Sequence, residues 1–517
     1  MNLGTLGRTL LAAAACAPLA YAQPSVDTAV RVAPATGESP RDSGAKQALD
    51  EPDQLQVALA PRSGGLTARS VARSAVSSSP ALAAKEAEVR AAAARVDQAF
   101  AALAPRITLG ASYTRLSPVN NSLGSGAIVG AANPGPLGVG PCPTGAGQCV
   151  LDAQGQPVGA AAFSIGATPL NNYALTASVS VPISDYVLRL GSGIAAAKAD
   201  VKAVRLLKQA EVNKTKADAQ LAYFDYARSV GQIAVARHAV TRHRALLKDA
   251  NTRFTQGTAT KADVLRVETL VSQGTLAVSD AEVFERLANE QIGIAIGDPG
   301  KNHYLGEDMF APVRPLPRSA SLAALLREAN SSRIELAALR ESESVLRHSR
   351  SATQGGRLPK IDGFFDYTYA NPSRNSFVPG GGWGSSWQAG ARLSWTINDT
   401  FSGGAQAAEL DANLQRLRAE SSALRNGIRS EVTAAFYHRQ KAQRAFQSTI
   451  ASEASAREAL RIARQLYQAG RGTTAEVIDA EHELIAAMSQ RLNALIDLRA
   501  AKTRLAYAVG RDVASIS

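Results

Sequence analysis

Two stretches of this chain repeat one another, and that constrains the fold more than any composition figure. Phe254, Gly257, Thr260, Asp263, Val264 and Leu265 align with Tyr467, Gly470, Thr473, Glu476, Val477 and Ile478, 213 positions later. The same offset holds at Ala295 and Gly297 against Ala508 and Gly510. Upstream, Val179 and Asp185 match Leu393 and Asp399 at offset 214, and Pro105 and Ile107 match Pro359 and Ile361 at offset 254. A length of 517 residues, at roughly 150 per domain, would suggest three domains. The repeat replaces that expectation with one unit written twice. Each copy reads as short helix, strand, loop, strand, long helix, turn and helix.

The strand segments alternate with period two. Ile107, Leu109, Ala111 and Tyr113 oppose Thr108, Gly110, Ser112 and Thr114, and Tyr173, Leu175, Ala177, Val179 and Val181 oppose the small and polar residues between them. In the second copy Ile361, Phe365, Tyr367 and Tyr369 oppose Asp362, Asp366 and Thr368, with Phe364 as the exception. Trp387, Ala389, Ala391, Leu393, Trp395 and Ile397 oppose Gln388, Gly390, Arg392, Ser394 and Thr396. The expected strands cover about 105–116, 171–183, 359–371 and 384–397, lengths that suit tilted strands crossing a bilayer. A soluble sheet packed on helices would alternate in the same way. All three tryptophans, Trp383, Trp387 and Trp395, fall in the fourth strand or the approach to it, as an aromatic girdle would require. Four strands cannot close a barrel, and lipid tolerates no open edge, so a membrane reading needs several chains to share one barrel.

Long helices are expected from about Val187 to Arg253 and from Ser402 to Leu466, each reaching roughly 100 Å at 1.5 Å per residue. Val187, Leu190, Ile194, Ala197, Val201 and Val204 follow the alternating 3–4 spacing of a coiled-coil seam. Shorter helices are expected at 260–298 and 473–509, and at 80–104 and 320–356. After residue 22 no apolar run approaches the ~18–20 residues of a transmembrane helix. The mean hydropathy of −0.08 fits a soluble protein as well as a barrel whose apolar strand faces are diluted by long helices.

The first residues set the compartment. Arg8, an apolar run from Thr9 to Leu19 and then Ala20-Tyr21-Ala22 describe a signal peptide over 1–22. Lipidation of Cys16 is the alternative, although Ala13-Ala14-Ala15 lacks the usual leucine. Residues 23–79, rich in proline, serine and alanine, read as a disordered periplasmic leader. The two repeats then occupy 80–300 and 320–511, joined by a linker at 301–319 and followed by a tail at 512–517. Between the first two strands, residues 118–170 contain 18 glycines and prolines, which argues against regular structure. Cys142 and Cys149 in that loop suit a small disulfide in an oxidising compartment; a metal site is the alternative, but no histidine or carboxylate cluster accompanies them.

Enzyme signatures are missing from the sequence. Gly191, Gly193 and Ala196 superficially fit a dinucleotide-binding turn, but no second parallel strand follows, and Gly403 and Gly404 at the matching junction point to flexible strand-to-helix glycines. The six histidines are scattered, and there is no phosphate-binding loop, no nucleophile–base set and no implied cofactor or metal. A net charge of +12 invites a nucleic-acid reading, yet the basic residues are dispersed among acidic ones on the helices.

The turns carry the strongest signal. Thr473 followed by Glu476 forms a capping box, and Thr260 with Asp263 is its counterpart. Capping accounts for Glu476 fully and for Asp263 mostly, and less well for Asp479. With these paired turns and the ordered repeat, the chain resembles the TolC-like outer-membrane efflux proteins over about 80–511. The resemblance implies a mostly α protein with β strands, in which three chains share a twelve-stranded barrel continuous with a helical periplasmic tunnel. It implies a passive exit duct of a tripartite efflux or type I secretion complex in a Gram-negative outer membrane, with outer-membrane lipid around its barrel. The helix-turn tips, at Gly257, Thr260, Asp263, Gly470 and Thr473, would dock a periplasmic adaptor and an inner-membrane transporter. Glu476 and Asp479 match the family's constriction acids and Tyr467 its tyrosine. The family's latching basic residue would fall at Gly472, one place after Arg471. A secreted coiled-coil scaffold or adhesion protein without a pore is the competing reading.

Overall fold

The computed structural model describes residues 54–117, 128–129, 135–143, 145–158, 160–161, 170–313, 321–373 and 382–515. The expected signal peptide and the leader as far as residue 53 lie outside these. The first repeat comprises α3 (Pro80–Ala101), β1 (Arg106–Arg115), β6 (Asn171–Val181), α5 (Gly191–Thr255) and α6 (Lys261–Ile296). The second comprises α8 (Ile334–Gly355), β7 (Lys360–Asn371), β8 (Gly384–Ser394), α9 (Ile397–Gln468) and α10 (Thr474–Val509). α5 has 65 residues and α9 has 72, so each runs about 100 Å.

The four long strands form one antiparallel sheet in the order β1–β6–β7–β8. Its pairing joins the repeats through β6 and β7, with Ala177 opposite Tyr367 and Val179 opposite Phe365. β1 and β8 each keep one edge without a partner strand among the described residues. A sheet packed on helices would bury one face, but every residue of β1 is exposed and β8 is exposed almost throughout. Leu109, Trp387 and Leu393 each keep at least 70% of their surface open. Such a row of uncovered apolar side chains belongs against lipid, and the open edges belong against other strands.

Aromatic residues collect at the ends of this sheet. Near the loops, Tyr113 lies 5.0 Å from Tyr173, and Trp383 stacks on Tyr369 at 5.1 Å. At the helix end Trp395 donates from Nε1 to Thr400 Oγ1 at 3.3 Å. β8 ends at Ser394, earlier than the expected 397, because α9 already begins at Ile397; Trp395 therefore sits in the strand-to-helix connection.

Several other expectations need correction. Residues 54–78 of the supposed disordered leader contain α1 (Gln54–Ala58) and α2 (Ala68–Ser78). Leu55, Leu59, Ala68, Val71 and Ala75 are buried against Tyr223, Ala227 and Ile292 of the first repeat. Thr67 caps α2 through Ser70, and the Ala68 amide donates to Glu307 Oε2 at 3.2 Å. Burial of this apolar stripe offsets the entropy that a free leader would retain. The linker is fastened too: Arg499 donates to the carbonyls of Asp308, Met309 and Ala311, each at 2.9 Å.

The glycine-rich loop contains two short hairpins, β2 (Ile128–Val129) with β5 (Ala160–Ala161) and β3 (Gly138–Pro141) with β4 (Gln148–Leu151). Cys142 and Cys149 are disulfide-bonded across the tip of the second, with Cα atoms 5.0 Å apart. The expected single helix over 320–356 is split at Arg333, whose extended backbone separates α7 (Leu322–Ser332) from α8. In the tail, the Val513 carbonyl accepts from Gln220 at 3.3 Å. A three-residue turn of helix, α4 (Ile183–Asp185), and a π-turn over Tyr186–Leu190 lead into α5, leaving Val187 exposed. The buried seam of α5 therefore starts later, at Ala196, Ala199, Val201 and Ala203.

Candidate functional site

The end of the molecule remote from the sheet is formed by the two helix turns, and both are built alike. α5 and α9 each close in a left-handed glycine, Gly257 at φ +73° and Gly470 at φ +70°, positions that strain any residue with a Cβ. The Thr258 amide then donates to the Arg253 carbonyl and the Arg471 amide to the Leu466 carbonyl, both at 2.9 Å. These bonds five residues back satisfy carbonyls that the helix end would otherwise leave open.

The next helix starts with a reciprocal cap in each case. The Thr260 amide donates to Asp263 Oδ2 at 3.0 Å, and the Thr473 amide to Glu476 Oε2 at 3.0 Å. In return the Asp263 and Glu476 amides donate to the threonine hydroxyls at 3.2 and 3.3 Å. Thr260's hydroxyl and amide together hold the Asp263 carboxyl below its ordinary range, with smaller help from Arg266 and Thr474. Glu476 is thus a capping residue by geometry. It is also exposed, as is Asp479 three residues on, so both can serve a neighbouring space as well as their own helix.

Between the turns lies a cleft of about 1030 Å³ lined by Asp249, Arg253, Asp263, Arg266, Tyr467 and Thr473, among others. It brings together Gly470, Thr473, Asp263 and Tyr467 of the expected site; Glu476, Asp479 and Arg471 lie outside its lining. Tyr467 is buried, and the Arg253 guanidinium lies over its ring, 4.1 Å from the centroid. Arg253 Nη2 also donates to the Gln468 carbonyl at 3.3 Å. Arg253 is the residue that sequence reasoning missed; its only signal was a basic side chain just before the first turn.

Gly472 has a steric explanation. A Cβ there would come within 2.9 Å of the Tyr467 backbone nitrogen and 3.2 Å of Glu476 Oε2. This turn therefore closes too tightly for the basic side chain that the resemblance would place at 472. Arg471 is exposed beside it. The tryptophans belong to the opposite end, and Cys142 and Cys149 to the loop beyond the sheet.

No helix among the described residues is long and apolar enough to cross a membrane. No cluster of three or more metal-ligating side chains occurs among the described residues. A strand sheet feeding long helices that end in paired capped turns defines a channel-type fold. The outer membrane efflux protein model matches residues 71–292 and 325–511, and the chain belongs to that family.

Comparison with curated proteins by sequence finds no match. Among solved structures the fold is similar to CusC, described for its folding and transmembrane channel formation, at TM-score 0.68 and 15% identity over 86% of this chain and 92% of that one. It is similar to the outer membrane protein VceC of Vibrio cholerae at TM-score 0.64 and 16% identity, covering 86% and 96%. The MtrE outer membrane channel of Neisseria gonorrhoeae, in its open state, gives TM-score 0.65 and 14% identity, covering 86% and 89%.

The protein is an exit duct of an efflux system in the Gram-negative outer membrane, with its helical part in the periplasm. Family and fold are those of channel proteins rather than enzymes. The family match begins at Val71, within the supposed leader, in keeping with the buried position of α2.

Proposed function

We propose that three copies of this chain close one twelve-stranded barrel, and that their paired turns narrow the far end into an acidic constriction. The observation that carries this reading is the four-stranded sheet with its apolar face uncovered and both edges open among the described residues. Lipid tolerates neither edge, and three such sheets remove all of them. β8's eleven residues extend ~35 Å, which at a tilt near 45° spans ~25 Å, the height of an outer-membrane apolar band. Trp383 and Trp395 lie beyond its two ends, where interfacial aromatics anchor, and Trp387 lies on the strand between them.

Family members act as trimers with adaptor proteins, which supports a docking role for the tips at Gly257, Thr260, Asp263, Gly470 and Thr473. Energy for transport then comes from an inner-membrane transporter joined through the adaptor, and the duct itself is passive. Glu476 and Asp479 contribute two carboxylates per chain, six around a threefold opening, a ring that attracts cations. Tyr467 and Arg471 frame this ring from the preceding turn.

Extraction tests the assembly. The protein should leave membranes only with detergent, run as a heat-resistant trimer and open pores in planar bilayers. Recovery as a detergent-free soluble monomer would contradict the reading.

A further inference from the structure

α6 and α10 both pack on α5 but hardly meet each other, which leaves a groove of about 590 Å³ between them. That volume suits a drug-sized molecule. Val235 and Ala239 of α5 are buried in its lining, and Gly274 and Ala277 keep the α6 side thin. Phe284 of α6 also lines it with 45% of its surface open, and Ile485 lines it from α10.

Two polar groups in this groove are left unserved by the fold. His243 of α5 is only 3% exposed, yet neither of its ring nitrogens has a hydrogen-bond partner. The nearby Leu270 carbonyl falls short of hydrogen-bond geometry. Burial lowers the ring's value from its ordinary 6.5, so near neutral pH it is uncharged and keeps an unused acceptor nitrogen. A Cβ at Gly274 would come within 3.3 Å of His243 Nδ1, so the glycine lets α6 pass close to the ring. Asp280 is the second group: it is exposed, and its carboxylate meets no cation among the described residues. No lysine or arginine is among the described lining residues, and the exposed His482 has its ring 6.5 Å from that of His243.

We propose that this groove binds an amphipathic organic cation, with its apolar body on Phe284 and the Val235 and Ala239 floor, its charge beside Asp280 and an N–H group on His243. An anion would meet Asp280 with no guanidinium or ammonium to oppose it. A purely apolar guest would leave His243 unserved, which forfeits a buried hydrogen bond. Every lining residue comes from one chain, so the site is separate from the threefold constriction and from any passage through it.

Purified, nucleic-acid-free trimer held in an amphipathic polymer tests the site. It is titrated with ethidium, a cation whose fluorescence rises on leaving water, and with anilinonaphthalenesulfonate, an anionic probe of apolar surface. Ethidium should saturate at one site per chain. Asp280→Asn should weaken it about threefold to fivefold, the worth of an exposed ion pair, and His243→Leu about fivefold. Phe284→Ala should cost about tenfold. Ala277→Leu, at an exposed position, should fill the groove and abolish saturable binding.

Ethidium binding unchanged in both Asp280→Asn and Ala277→Leu would overturn the site, as would tighter binding of the anionic probe at the same place. Heat-resistant trimer and divalent-cation block read the duct assignment separately. Normal block without saturable ethidium sinks this site alone. Saturable ethidium that responds to Asp280→Asn, in a protein that forms no trimer and shows no block, sinks the duct reading and leaves this site standing.

Discussion

The two turns share a backbone and diverge in their side chains. Both end in a left-handed glycine and restart with a threonine–acid cap, yet Phe254 is exposed where the matching Tyr467 is buried. Lys261 lies 5.8 Å from the Phe254 ring centroid, whereas Arg253 lies 4.1 Å from that of Tyr467. Position 268, the repeat partner of Glu481, is a glutamate open to solvent, and the partner of Asp479 is Arg266. Duplication preserved what closes a helix hairpin. Glu476, Asp479 and the buried Glu481 belong to the second copy, and Arg242 and Arg253, which contact that copy, belong to the first. In the proposed trimer, the acidic ring comes from the second turn of each chain.

The largest expected effect separates the two glutamates. Glu481→Gln leaves Arg242 and Arg464 facing a neutral amide in a buried site, at a cost of ~3–5 kcal/mol, while Glu268→Gln stays within ~0.5 kcal/mol. Thermal unfolding of the purified protein in detergent measures both, and equal shifts would erase the distinction. Next come the aromatics: Tyr467→Ala should cost ~3 kcal/mol and Phe254→Ala no more than ~1 kcal/mol in the same assay.

The caps should behave alike, with Thr473→Ala and Thr260→Ala each losing ~1 kcal/mol. Unequal losses would show that the turns differ in backbone as well as in side chains. Smallest is a pH effect. The folded value of Asp263 lies below its ordinary 3.8, so its contribution is fully present above that range and lost as pH falls through the lowered value. Asp263→Asn should therefore flatten the acid limb of the stability curve. Burial also lowers the His243 value from its ordinary 6.5, with partial opposition from Glu481. Its cost appears as pH drops below 6.5, where the unfolded chain takes up the proton first, and His243→Gln should remove that slope.

Local patterns made most of the frame legible. The period-two strands, the heptad-like helices and the Gly–Thr–acid turns each leave a signal within a few residues, and the structure places all of them within a few positions of expectation. Alternation continues past Ser394 and so suggests a strand through Trp395 and Ile397, whereas α9 already begins at Ile397.

Residues 54–78 were harder, because Ala68, Val71, Ala72 and Ala75 form a stripe too small to stand out from serine-rich surroundings. Nested hairpins in the Gly-Pro loop were hidden by composition. The contacts of the α5 arginines could not be read at all: Arg228, Arg242 and Arg253 look like solvated charges until α10 and the end of α9 are laid against them. Contacts between residues more than two hundred positions apart leave no local pattern.

Divalent-cation block of single channels tests the account most directly. The wild-type trimer should be blocked from the periplasmic side, and Glu476→Ala plus Asp479→Ala should relieve that block about tenfold or more, since removing six carboxylates empties the ring. Arg266→Ala, at the matching position of the first turn, should leave the block in place. Unchanged block in the double acid variant, with the trimer intact, would contradict the assignment of the constriction to the second turn.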